Sequence, residues 1–96
     1  MDTMTISEQD IVNSLCLYLA NKKDRTPESI QVELLYDDDY GFSAEAYVGA
    51  RKQILVESNI IEALRFWLDT ERHVDPYGSL RLELDEEQGI IAQYKS

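Results

Sequence analysis

The chain has 96 residues, 44% of them hydrophobic, and nineteen acidic side chains against nine basic ones give a formal charge of −10. That length supports one core burying roughly 60 to 65% of the extended surface, and the charge repels phosphate backbones, which excludes nucleic acid as an expected partner. The same charge keeps a basic protein open as a partner, and the single cysteine excludes an internal disulfide and any multi-cysteine zinc site.

No apolar run approaches 18 residues, and the opening "MDTMTISEQD" has neither a basic n-region nor a hydrophobic h-region. A cytoplasmic protein without a membrane partner is expected. Residues 1–96 read as one domain, with residues 1–5 expected to be flexible.

Thr5 followed by Glu8 has the form of a capping box, and Ile11, Val12, Leu15, Cys16 and Leu19 then recur at helical spacing, predicting a helix from about Ser7 to Asn21. Lys22 and Lys23 suit its negative end. Cys16 sits among leucines and reads as a small buried hydrophobe rather than a nucleophile. "DRTPES" breaks the chain, with Thr26 and Pro27 able to start one isolated helical turn.

From Ile30 the period becomes two. Ile30, Val32, Leu34 and Tyr36 alternate with polar or outward positions, and Phe42, Ala44, Ala46 and Val48 repeat the pattern, so Asp37 to Gly41 make a hairpin loop in which Gly41 supplies a positive φ. A third strand covers roughly Lys52 to Val56. A two-residue Gly49-Ala50 turn would put Gln53 beside Ala46, whereas a three-residue loop pairs Ala46 with Ile54 and Ala44 with Val56; the second keeps one face apolar and is the predicted register.

Ser58 or Asn59 can cap a second helix whose stripe is Ile60, Ile61, Leu64, Trp67 and Leu68, running to about Arg72. After "HVDPYGS", Leu80, Leu82 and Leu84 form a fourth strand, and after "DEEQG", Ile90, Ala92 and Tyr94 form a fifth. The fold class is α+β, in the order α-β-β-β-α-β-β, with two helices on one face of an antiparallel sheet of about five strands. Its other face would show Gln31, Glu33, Leu35, Glu45, Tyr47, Leu55, Arg81, Glu83 and Ile91.

Pairing Tyr36 with Phe42 forces Glu33 opposite Glu45 on that open face, and directly opposed carboxylates cost roughly some tenths of a kcal/mol unless a cation relieves them. Arg51, Arg81 or Lys95 could do so. The alternative is a divalent-cation or small-ligand site using Glu33 and Glu45 with Asp37 and Asp39, although "DDDYGFSAE" fails the EF-hand spacing. His73 is the lone histidine, placed where it would cap the second helix, and no nucleophile stands beside it in a catalytic arrangement. No cofactor or catalytic residue is expected. Leu35, Tyr47, Leu55 and Phe66 are candidates for a dimer contact, because amphipathic and apolar rings at a surface mark interfaces.

The stretches "YDDDYGFSAEAYV", "GARKQIL" and "NIIEALRFWL" resemble a small family of uncharacterised proteins from bacilli, known as a domain of unknown function. The resemblance spans about residues 4 to 95, implies a bacterial cytoplasmic origin and carries over no site residues. The order α-β-β-β-α over residues 7 to 72 is also similar to a double-stranded RNA-binding domain, but Ser58 to Glu62, where such domains carry a cation, has none. The expected function is a non-enzymatic interaction or regulatory domain that self-associates as a homodimer.

Overall fold

In the computed structural model, which describes residues 3–96, the first helix is capped by Ser7 rather than Thr5. Ser7 is extended, and its Oγ accepts from the Asp10 N–H at 3.1 Å, satisfying one of the free donors of the first turn. Thr5 belongs instead to a strand, β1 (Thr3–Ile6), and its hydroxyl donates to Gln93 at 2.9 Å. Glu8, the residue expected to close a capping box, accepts from the Ile90 N–H at 2.9 Å and so ties the start of the helix to a strand 82 residues away. Thr3 to Thr5, expected to be flexible, stand in β1, and the part of that expectation that falls on residues 1 and 2 lies outside the described residues. Four residues are too few for a two-residue period to stand out in a sequence.

Helix α1 (Glu8–Lys23) ends at Asp24, which takes a left-handed conformation with φ 54° and returns its N–H to the Ala20 carbonyl. A short 3₁₀ turn (Pro27–Ser29) leads into β2 (Ile30–Asp37), which pairs antiparallel with β3 (Gly41–Val48) in the expected register, Tyr36 opposite Phe42 and Glu33 opposite Glu45. The turn between them answers what the aspartates do. The Asp37 carboxylate accepts from the N–H groups of Asp39 and Tyr40, at 2.7 and 3.1 Å, and Gly41 returns the chain at φ 78°. "DEEQG" repeats the device, Asp85 accepting from Glu87 and Gln88 and Gly89 standing at φ 78°. The bonds from Gln88 and Glu87 hold the Asp85 carboxyl below the usual carboxylate range.

The third pairing corrects the sequence reading. Strand β4 (Arg51–Val56) follows a two-residue Gly49-Ala50 turn, so Val48 pairs with Arg51, Ala46 with Gln53 and Ala44 with Leu55. Gly49 has φ 63°, the positive value that the first residue of a II′ hairpin turn requires. Leu55 is therefore buried under the helices at 3% exposure, while Ile54 and Val56 face outward at 57% and 54%. The predicted register kept the β-branched pair inside; the turn geometry overrides it, and Leu55 with the alanines of β3 supplies the apolar face.

Helix α2 (Glu57–Trp67) begins before the expected caps, and Asn59 acts from within its first turn, accepting from the Val56 N–H at 2.9 Å. A wide turn (Leu68–Arg72) extends it to the expected end, closed by His73 in a left-handed conformation with its N–H on the Leu68 carbonyl. Strands β5 (Ser79–Asp85) and β6 (Gly89–Lys95) form the last hairpin. The loop before them is held from both sides: Arg65 donates to the carbonyls of Pro76 and Gly78 at 2.7 and 2.9 Å, and the Tyr94 hydroxyl donates to that of Asp75 at 2.6 Å.

The fold is α+β, in the order β-α-β-β-β-α-β-β, and its strands make two antiparallel sheets of three, β1-β6-β5 and β2-β3-β4, where the sequence suggested one sheet of five. The reason lies in β6. A strand has two edges, and β1 and β5 occupy both of those of β6, so β6 is closed to the β2 hairpin, which pairs only with β4. The helices form one layer over both sheets, α1 against α2, β2 and β6, and α2 against β3 and β4. Ile11, Leu15, Ile60, Leu64 and Leu68 are within 1% of full burial, and Ala44 and Ala46, at 0%, let α2 approach the sheet closely. Leu15→Ala should lower stability by about 2 to 5 kcal/mol in denaturant unfolding, while Leu84→Ala, at a position 56% exposed, should change it by less than about 0.5 kcal/mol; equal effects would contradict this core.

Candidate functional site

The helices cover only one face of β2-β3-β4. On the other, the register sets three rows across the strands: Gln31, Tyr47 and Lys52; Glu33, Glu45 and Ile54; Leu35, Ser43 and Val56. The opposed glutamates are where the sequence places them, and the cation that relieves them is Lys52, whose Nζ lies 2.9 Å from Glu45 Oε1. None of Arg51, Arg81 and Lys95 does this. The Lys52 ammonium is held above the usual lysine range by its bond and charge interaction with Glu45, then by Tyr47 and Glu33.

Among the described residues, no group of three or more His, Cys, Asp or Glu side chains comes together with the geometry to hold a metal ion. The four candidate carboxylates are not brought together. Glu45 is engaged by Lys52, and Asp37 by two backbone N–H groups of its own turn, an arrangement that also accounts for Asp39 at the solvated tip. The interface candidates separate as well. Leu35 and Tyr47 share the open face, Leu55 is on the opposite one, and Phe66 lies in the helix layer with its ring edge-on to Tyr18 at 5.9 Å. In their place the structure sets Ile54 and Val56 beside Leu35 and Tyr47, and the missed signal was the two-residue turn that fixes β4.

Two further residues bear on chemistry. Cys16 is half-buried, its Sγ donates to the Ile30 carbonyl at 3.5 Å, and burial pushes its thiol up in pKa, away from the reactive thiolate. His73 is exposed at the chain reversal after α2. No helix among the described residues is long and apolar enough to cross a membrane.

Fold and face together define a small α+β domain in which one sheet presents a charge-compensated carboxylate pair and an apolar edge strand. The chain belongs to the family described as "Protein of unknown function (DUF2653)", whose sequence profile matches residues 1–87. It is 32% identical over 91 residues to a Bacillus subtilis (strain 168) protein described as "Uncharacterized protein YxcD", an alignment that covers 93% of this chain and 89% of the relative. No solved structure matches the chain.

The pairing of Lys52 with Glu45 sets a pH dependence whose sign follows from the raised pKa. Its stabilising effect is complete below the ordinary lysine value and is lost as pH climbs through the raised one. Glu45→Gln should bring the Lys52 titration, followed by NMR of its side-chain ε protons, back toward the ordinary range; a titration that does not move would show the ion pair to be absent in solution.

Proposed function

We propose that the protein is a protein-interaction or regulatory domain rather than a catalyst, and that it works as a homodimer closed through β4. The observation that carries this reading is the state of that strand. β4 is an edge strand, and its two large outward side chains, Ile54 and Val56, are more than half exposed. Proteins usually guard such edges with charge, proline or a bulge. Here the one charge on the outward side, Lys52, is drawn back onto Glu45 of the neighbouring strand, and β4 contains no proline.

Hairpin pairing fixes which backbone groups remain free. A two-residue turn closes on a hydrogen-bonded pair, so Arg51, Gln53 and Leu55 bond to β3 and the N–H and C=O groups of Lys52 and Ile54 point away from it. The Val56 N–H is taken by Asn59. An antiparallel pairing of two β4 strands about Gln53 would use those free groups, setting Lys52 of one protomer opposite Ile54 of the other. Such a contact is isologous and closes on itself. Tyr47, on the neighbouring strand and beside Lys52, would flank it and add apolar area.

The chemistry of the remaining side chains supports a binding role. The thiol is pushed toward its neutral form, and the single histidine stands exposed at a turn.

In sedimentation velocity the protein should run as a dimer, and Ile54→Lys as a monomer with an unchanged circular dichroism spectrum, since that side chain is exposed within one chain. A wild-type protein that stays monomeric at the highest attainable concentration would overturn the proposal.

A further inference from the structure

At the end of the molecule opposite the aspartate tip, a cleft of about 490 Å³ is lined by Lys23, Arg25, Arg51 and Lys52 together with Val48 and Gln53. Four of the chain's nine basic residues thus meet in one place on a protein whose net charge is −10, and among the described residues no carboxylate lines the cleft. Lys52 is paired with Glu45, while among the described residues no acidic side chain lies within ion-pair distance of Lys23, Arg25 or Arg51. Three cations there are uncompensated.

The end of a helix accounts for part of this. Lys22 and Lys23 stand in the last turn of α1, at its carbonyl terminus, where positive charge is favourable. It does not account for Arg25, which comes from the loop beyond, or for Arg51, which comes from the start of β4. These arrive from separate elements, and the Arg25 guanidinium is close to the Gly49 turn, 3.8 Å from where a Cβ at Gly49 would stand. An adjoining cleft of about 300 Å³ shares Lys23 and Gln53 and is also lined by Lys22 and by Tyr18, over whose ring the Lys22 ammonium stands at 4.9 Å. Like charges gathered without counter-charge are unfavourable in the free protein and become favourable when an anion enters.

We infer that this cleft binds a compact phosphate-bearing ligand of the pyrophosphate type. Two guanidinium forks and the Lys23 ammonium match tetrahedral phosphate oxygens, the arginines through paired N–H bonds and the lysine as a point charge. Among the described residues no ring lines the main cleft for stacking a base, so recognition rests on the phosphates. The acidic surface elsewhere opposes a long polyanion that must run across it, but at physiological salt its field decays over about 8 Å, and a ligand small enough to stay in the cleft meets mainly the cations. Arg51, Lys52 and Gln53 belong to β4, so the cleft shares the strand through which the proposed dimer closes; phosphate binding is read by titration and the dimer by sedimentation, so either can fail without the other.

The test is calorimetric titration of the whole protein with inorganic pyrophosphate at low ionic strength, with citrate as a carboxylate comparison. Pyrophosphate should bind more tightly than citrate, and affinity should fall at least tenfold in Arg25→Gln/Arg51→Gln. These positions are exposed, so that variant should keep its thermal midpoint. Arg81→Gln and Lys95→Gln, on the other sheet, should leave binding unchanged. Absence of pyrophosphate binding, equal or tighter binding of citrate, or a loss of affinity as large in the Arg81 and Lys95 variants as in the Arg25/Arg51 pair would each overturn the inference.

Discussion

The positive φ of Gly49 decides more of this molecule than any single contact in its core. By allowing a turn of two residues it fixes the register of β4, and a shift of one residue would turn every side chain of that strand to the other face. In the observed register Leu55 completes the layer under α2, Lys52 reaches Glu45, and Ile54 and Val56 are left in solvent. Arg51 is brought to the same turn and meets Arg25 and Lys23. The proposed dimer contact and the basic cleft are two consequences of one backbone conformation.

Charge is distributed along β3 in a way its sequence only half discloses. At one end the aspartates form a tip whose first member is spent on turn hydrogen bonds and whose others face water. In the middle two glutamates oppose each other and share one lysine. At the far end the cations collect. A net charge of −10 therefore describes the whole surface without describing its parts, and partners chosen by local field differ from those chosen by the total.

Much of the fold was legible because its signals are local. The two helices, the β2-β3 register and the last hairpin follow from periodicities of 3.6 and 2 and from glycine at the turns. "DDDYG" and "DEEQG" share an Asp that accepts two backbone N–H groups and a Gly four residues later, a pattern that states the turn directly. What was not legible depended on distant partners. β1 has four residues and exists because β6 offers it an edge. That same pairing divides the strands into two sheets, which no local pattern states. The site was harder still: Glu33 opposite Glu45 could be derived from the hairpin, but Lys52 as its counter-charge and Ile54 and Val56 as its neighbours required the next turn to be right. Preferring β-branched residues inside misplaced them, because Ala44, Ala46 and Leu55 already filled the space.

Residues on opposite strands that are not joined by backbone hydrogen bonds bring their α-carbons to within about 4.5 Å, so the register of β4 can be read directly in solution. Nuclear Overhauser contacts between α protons should join Tyr47 to Lys52 and Glu45 to Ile54. Contacts that instead join Tyr47 to Gln53 and Glu45 to Leu55 would mean a three-residue turn, with Ile54 and Val56 beneath the helices and no longer exposed on the edge strand.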